Sequence, residues 1–278
     1  MKAGLLGGKG LAKYTVAPLV WGELLRGKRV SFSLFEAGSE EEVEELLSSK
    51  GFLGINVAKP WKQLVCRLAK ERSSACRKTG CANAYRFSDG KADNFDGKAL
   101  VEAIEDASGS VSGKKVVLVG CGGAARSTAL ELLEKNAVVT AFDVSAGALE
   151  SFSKLFKRDY GETTSPMSGL EGAVKGCDIL INATPLGMRV EGGGNELKTP
   201  VNERALGRMR EGGVVAEMNY SPEKTLLLRI AEENGLRAVP GKHMLVKQAI
   251  MSYEFFIGEK PPEGRVRAAY ESLGKALG

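Results

Sequence analysis

The chain has 278 residues, with 39 lysines and arginines against 34 aspartates and glutamates, a net charge of +5, and 43% apolar side chains. That length suits two domains or one large one, with ample material for a hydrophobic core. The positive excess is spread along the chain without a basic patch interleaved with aromatics, which argues against nucleic acid as a partner.

In chain order, residues 3–7 read as a short strand entering a glycine-rich turn. "GLLGGKG" (Gly4 to Gly10) is not a phosphate loop, because no Ser or Thr follows its lysine and the GxxxxGK spacing is absent. Val30 to Phe35 alternates apolar with polar, the period of a half-buried strand. Ser39-x-x-Glu42 has the form of a capping box, and Val43, Leu46 and Leu47 follow at helical spacing. Phe52 to Val57 returns as a strand. Beyond it Asn56, Lys59 and Lys62 gather around Pro60, a residue that fits the first turn of a helix. A first-turn lysine is ordinarily only solvated; Lys62 is either that or an acid/base.

The small, polar run Ser108 to Lys115 marks a junction. The expected division is therefore 1–104, an α/β substrate domain; 105–241, a dinucleotide-binding domain; and 242–278, C-terminal helices packing back on the first. Lys115 to Val119 is a β-rich run, residues 123–135 place Ala125, Ala129, Leu132 and Leu133 on one helical face, and Ala137 to Phe142 is a second apolar run. Ile179 to Ile181 and Val214 to Ala216 are later short strands. Strand and helix alternating in this way predict a parallel, doubly wound sheet of Rossmann type. Asn234 to Gly241 reads as a helix exit, a strand and a turn, after which Met244 to Phe256 and Arg265 to Leu277 are expected helices.

No apolar run approaches the ~18 residues of a membrane span, and the apolar start at Met1 to Gly7 is too short for a signal peptide. Cys66, Cys76, Cys81, Cys121 and Cys177 form an odd set without CxxC spacing, with one histidine, His243, beside them. This usage fits a reducing, cytoplasmic setting and argues against zinc.

Gly120-Cys121-Gly122-Gly123-Ala124-Ala125 stands between a strand and a helix, where a dinucleotide loop belongs. Gly120 allows the tight turn, Gly122 lets backbone approach a pyrophosphate, and Ala125 permits close helix–strand packing. Asp143 lies 23 residues after Gly120, near the ~20 expected of the acidic residue that binds the ribose. A carboxylate there repels a 2′-phosphate, and Val144 to Ala148 supply no cation, so NAD is expected over NADP. The plainer alternative is a tight glycine turn with Asp143 capping the next helix.

Seven motifs in order resemble the shikimate/quinate dehydrogenase family. Gly54 to Lys62 (GINVAKPWK) is similar to its GxNVTxPxK, Gly80 to Ala84 to GAVNT, and Asn94 to Gly97 to NTDxxG. Gly120 to Arg126 is similar to GAGGAAR, and Asn182 to Met188 to NxTPxGM. Tyr220, Pro222 and Thr225 follow YxPxxT, and Gly241, Met244, Leu245 and Gln248 follow GxxMLxxQ. The resemblance spans nearly the whole chain.

It implies a Lys62/Asp96 dyad that moves the proton while nicotinamide exchanges hydride with a ring carbon of a cyclic hydroxy-carboxylate, a step of aromatic amino acid biosynthesis in the family. Asn83 and Gln248 are implied to bind ring hydroxyls, with Tyr220 in the same pocket, and Thr184, Met188, Met218 and Gly241 to flank the nicotinamide. The family's carboxylate-binding Ser-x-Ser is replaced by Lys13-Tyr14-Thr15, so Lys13 and Thr15 are the candidates for that contact. Ala58, Ala84 and Phe95 replace three threonines of the motifs. These departures surround the substrate and leave room for quinate or an aminoshikimate-type compound. The other readings are a methylene-tetrahydrofolate dehydrogenase-like enzyme and a non-catalytic dinucleotide-binding protein. A monomer or a homodimer is expected.

Overall fold

A computed structural model describes residues 1–189 and 194–277. The chain divides into two units, one of Met1–Asp96 with Leu245–Ala276, the other built on Gly97–Met244.

In the first unit the apolar runs form β1 (Lys2–Gly7), β2 (Ser31–Glu36) and β3 (Phe52–Val57), followed by the short strands β4 (Glu71–Arg72), β5 (Ala84–Arg86) and β6 (Lys91–Asp93). They make one mixed sheet in the order β2-β1-β3-β5-β6-β4. β1 runs parallel to β2 and β3, while β5 is antiparallel to β3 and β6. Helices α1 (Ala17–Leu24), α2 (Glu40–Ser48), α3 (Lys62–Leu68) and α4 (Ser74–Thr79) link the strands. The capping box at α2 is displaced by one residue. Ser39 Oγ accepts from Glu42 N–H at 3.4 Å, but the Glu42 carboxylate reaches back to the N–H of Gly38 at 2.7 Å rather than that of Ser39. Leu6, Val43, Ile55, Val57, Leu64 and Val65 form the core beneath.

Pro60 lies outside the helix the sequence offered it. The chain first makes a turn, closed by Trp61 N–H to the Ala58 carbonyl at 3.1 Å, and α3 begins at Lys62.

The second unit carries β7 (Lys115–Val119), β8 (Val138–Phe142), β9 (Ile179–Asn182), β10 (Val214–Glu217) and β11 (Arg237–Val239). Their order is β11-β10-β9-β7-β8, and every pairing is parallel. Its helices are α5 (Asp96–Ser108), whose first residue closes the first unit, α6 (Gly123–Glu134), α7 (Ala146–Tyr160), α8 (Leu170–Val174), α9 (Glu203–Leu206) and α10 (Leu226–Glu233). Val117, Phe142, Leu180, Val215, Leu227 and Leu228 fill its core. The winding reverses between β7 and β9, and a parallel sheet opens a crevice for ligands at the carboxyl ends of strands at such a reversal.

Two helices end the chain, α11 (Gly241–Ile257) and α12 (Glu263–Leu277). α11 starts three residues before the expected Met244, because Pro240 already accepts from His243 N–H at 3.1 Å. From Leu245 to Ala276 these helices belong to the first unit. Aromatic packing explains the return. Trp21 stacks on Phe32 at 5.4 Å and on Phe256 at 5.9 Å between ring centroids. Gly54 on β3 makes room: a Cβ there would lie 2.1 Å from Phe256 Cδ1. Buried aromatics of this size each contribute about 1.5–3 kcal/mol. Among the described residues no helix is long and apolar enough to cross a membrane.

Candidate active site

In the first unit the candidates Lys62, Asp96, Asn83 and Gln248 meet, with Asn56 beside them. β3 delivers Asn56 at its end, the turn at 58–61 delivers Lys62 as the first residue of α3, and α5 opens on Asp96. Two backbone hydrogen bonds hold the Asn83 segment beside them, Ala82 N–H to Lys62 O at 2.8 Å and Val57 N–H to Asn83 O at 2.7 Å. The Lys62 ammonium donates to Asp96 Oδ2. Asn83 Nδ2 donates to Asp96 Oδ1 at 2.8 Å, and Asn83 Oδ1 accepts from Phe95 N–H at 2.9 Å. Gln248 Oε1 accepts from Asn83 Nδ2 at 3.5 Å and from Asn56 Nδ2 at 3.4 Å.

The ion pair is largely withdrawn from water, with side-chain exposures of 16% for Lys62 and 6% for Asp96. Such a pair holds only if further hydrogen bonds complete it, and Asn83 provides one. An ammonium has three N–H donors, so Lys62 has more to offer than the contact with Asp96. Chemically the cluster can hold one proton and pass it to or from an oxygen placed against the lysine.

Lys13 and Thr15 lie on a different piece of the same unit, the short turn Leu11–Lys13 and the entry to α1. The Glu36 carboxylate at the end of β2 accepts from Gly10 N–H at 3.0 Å and Ala12 N–H at 2.9 Å. These bonds hold it below the usual carboxylate range, and the charge of Lys13 adds to the effect. Lys13 therefore sits in the field of an anion. Thr15 Oγ1 accepts from Ala17 N–H at 3.3 Å, which leaves its own O–H to donate elsewhere.

In the second unit the glycine loop and the 182–188 loop follow the two strands at the reversal, β7 and β9. Gly120 has φ +106°, and a Cβ there would lie 2.9 Å from the carbonyl oxygen of Ala183, so only glycine fits. Gly122 is the N-cap of α6 and makes no side-chain cap; a Cβ on it would meet nothing within 4 Å. The first N–H groups of α6, from Gly123 and Ala124, thus lead a 12-residue helix with open space before them. Such an end favours phosphate, and the residues fit a dinucleotide pyrophosphate. Asp143 accepts from Cys121 N–H at 2.8 Å and from Ser145 N–H at 2.9 Å. It thus braces the loop, while a carboxylate's further lone pairs remain able to accept from ribose hydroxyls.

Thr184 N–H and O–H both donate to Asn182 Oδ1, at 3.0 and 2.7 Å. Asn219 Nδ2 donates to the carbonyls of Thr184 at 3.0 Å and Leu186 at 2.9 Å. Met188 closes a turn on Pro185 at 3.1 Å, and Met218 N–H bonds Asn182 O at 3.0 Å. Gly241 opens α11, and Tyr220 follows Asn219, so both belong to this unit and not to the Lys62 cluster.

Several residues of these networks escaped the reading of the sequence. Asn56, quoted only as part of a motif, is 4% exposed, bonds Ser252 Oγ at 2.7 Å through Nδ2, and keeps Oδ1 buried with no hydrogen-bond partner. Glu217 is fully buried at the end of β10, accepting from Thr225 Oγ1 at 2.9 Å and Asn219 Nδ2 at 3.3 Å. Burial pushes its carboxyl up to about 8. The signal was an acidic residue closing the apolar run Val214-Val215-Ala216. Arg126 brings a cation to the glycine loop, with Nε 3.4 Å from Cys121 O and Nη2 3.0 Å from Ser151 Oγ.

No family model matches the chain. Among curated proteins, the shikimate dehydrogenase (NADP(+)) of Methanocella arvoryzae is 31% identical over 237 residues, 84% of either chain. The shikimate dehydrogenase (NADP(+)) of Rubrobacter xylanophilus is 34% identical over 82% of this chain and 80% of its own. Among solved structures, the quinate dehydrogenase of Corynebacterium glutamicum in complex with NAD superposes with a TM-score of 0.83, covering 98% of this chain and 99% of that one at 23% identity. That likeness establishes the two-unit fold, and the sequence identities establish kinship: the chain belongs to the shikimate dehydrogenase family of NAD(P)-dependent oxidoreductases.

Proposed function

We propose that the protein catalyses reversible hydride transfer between a nicotinamide dinucleotide and a ring hydroxyl or ketone of a cyclic hydroxy-carboxylate of the shikimate or quinate type. The observation that carries this reading is the Lys62–Asp96 ion pair with Asn83 on the second carboxylate oxygen. In oxidation, neutral Lys62 accepts the alcohol proton; in reduction, its ammonium returns a proton to the carbonyl oxygen. Asp96 steadies the charged lysine. Bound nicotinamide supplies or accepts the hydride. Asn83 and Gln248, joined by the hydrogen bond from Asn83 Nδ2 to Gln248 Oε1, bind ring hydroxyls. Thr184, Met188, Met218 and Gly241 flank the nicotinamide. Residues 1–104 serve as the substrate domain and 105–241 as the dinucleotide domain, with 242–278 packed on the former.

For the cofactor we favour NAD. Asp143 ends β8 beside the glycine loop and bonds it through Cys121, so its negative charge opposes a 2′-phosphate. The curated relatives carry NADP(+) in their names, so the preference rests on Asp143 alone and runs against those names. Ala58 and Ala84 in place of threonines favour an acid with different ring substituents from shikimate, an amino analogue among them.

The test is turnover of shikimate, quinate and aminoshikimate with NAD⁺ and NADP⁺, with Lys62→Ala as control. Turnover of any one, lost in the control, supports the reading. Inertness toward all three acids with both cofactors removes the substrate class.

A further inference from the structure

The two loops that frame the ring-acid site differ in how their lysines are compensated. Lys13 lies in the field of the Glu36 carboxylate, which its charge helps to hold below the usual range. Lys59 makes no ion pair within 4.0 Å among the described residues. Its backbone is fixed where the two loops meet. Gly8 N–H donates to the Lys59 carbonyl at 3.1 Å, which ties it to the start of the loop leading to Lys13 and Thr15. Ala58 N–H bonds Leu6 O at 2.7 Å, and Trp61 Nε1 bonds Gly7 O at 3.2 Å, so the whole turn is clamped to the end of β1. Three residues on, Lys62 starts α3.

Resting on the functional reading above, we propose that Lys59 selects an anionic substrate: its ammonium, borne on the turn that ties the start of the loop leading to Thr15 to the start of α3, binds the carboxylate of the ring acid. The side chain has surface exposed, yet the protein around it desolvates its charge and pushes the amine below the usual lysine range; Lys62 adds to this and Asp96 opposes it. Its backbone, tied to Gly8 and placed three residues before the start of α3, keeps this lysine next to the dyad in the chain. Two ammoniums, of Lys59 and Lys62, against the one carboxylate of Asp96 give this segment an excess of positive charge, the complement of a monoanion. Thr15, with its O–H available, supplies the directional bond that a lysine does not.

The experiment compares shikimate, or whichever ring acid turns over, with its neutral carboxamide, in the wild type, Lys59→Leu, Lys59→Arg and Lys13→Leu. Dinucleotide binding by fluorescence verifies that each variant is folded. Losing a charge-assisted contact should raise KM for the acid about tenfold or more in Lys59→Leu, with kcat within about threefold. The preference for acid over amide should collapse in that variant and persist in Lys59→Arg. An unchanged acid-to-amide ratio in Lys59→Leu, or its collapse in Lys13→Leu alone, overturns the assignment. If the wild type turns over no ring acid, the functional reading falls by itself. Calorimetric titration of shikimate into the wild type and Lys59→Leu then decides Lys59 separately: weaker binding in the variant supports it, and equal or absent binding in both overturns it.

Discussion

Asn83 Nδ2 stands 2.8 Å from Asp96 Oδ1, and the same asparagine accepts Phe95 N–H at 2.9 Å through Oδ1. One carboxamide thus fixes both the carboxylate and the backbone next to it. Asn83→Ala leaves two groups without partners in a site where Asn83 is 2% exposed. A buried polar group left unsatisfied costs about 1–3 kcal/mol. The variant should therefore lose stability in urea unfolding as well as turnover. Asn83→Asp should do worse in turnover, because it sets a second carboxylate against Asp96 and removes the donor.

Lys62→Met keeps an unbranched apolar stem and removes the proton carrier. Positioned acid–base groups contribute about 10²–10⁴-fold, so kcat should fall by that range while KM changes little. Steady-state kinetics in both directions check it. A variant with wild-type kcat would show that the ion pair is structural only.

Gly120→Ala tests the cofactor crevice. The residue has φ +106° and faces the Ala183 carbonyl, so the methyl group must displace backbone of the loop that follows β9. Strain of this kind is on the order of 1–3 kcal/mol. Dinucleotide affinity should weaken together with thermal stability. Gly122→Ala, where a Cβ meets nothing within 4 Å, should weaken dinucleotide binding with little change in melting.

Much of the fold could be read from periodicity, because each apolar run of the second unit lies within or beside an observed strand. β9 and β10 merely extend one residue past Ile181 and Ala216. Boundaries set by hydrogen bonding rather than by pattern were the hard part. Pro60 looked helical, but the Ala58–Trp61 turn precedes α3, and α11 begins at Gly241 in what read as a turn. In the first unit Lys62, Asp96, Asn83 and Gln248 stood in motifs, and hydrogen bonds join them in the structure. Glu217 was not legible, because what makes it notable is burial, and Arg126, quoted only as the end of a motif, was given no role. The Asp143 argument counted only the residues following it, so it passed over a cation supplied by α6.

That omission makes cofactor choice worth testing directly. Asp143→Ala removes the charge that opposes a 2′-phosphate and leaves Arg126 in place. The ratio of kcat/KM for NAD⁺ to that for NADP⁺ should fall about tenfold or more, equivalent to roughly 1.4 kcal/mol. The Asp143 bonds to Cys121 and Ser145 also brace the loop, so NAD⁺ affinity should drop as well. A ratio that stays constant would place the discrimination elsewhere.

Glu217 makes stability depend on pH. Its carboxyl is pushed up to about 8 in the folded protein by burial, against 4.5 for the ordinary group. Between those values the folded chain keeps a proton that the unfolded chain has released. The stabilisation is complete below pH 4.5 and is lost as pH rises through about 8, the sign expected when the native state binds more protons. Glu217→Gln keeps the shape and cannot ionise; its one oxygen can accept from Asn219 while its amide donates to Thr225 Oγ1. Urea midpoints from pH 5 to 9 should therefore decline with pH in the wild type more steeply than in Glu217→Gln, the difference between the two isolating this group from every other titration. Because Asn219 also holds the carbonyls of Thr184 and Leu186, dinucleotide affinity should follow the same difference, falling at alkaline pH in the wild type and holding in the variant. Parallel pH profiles for the two proteins would mean that Glu217 is already ionised in the fold, its charge carried by the hydrogen bonds from Thr225 and Asn219.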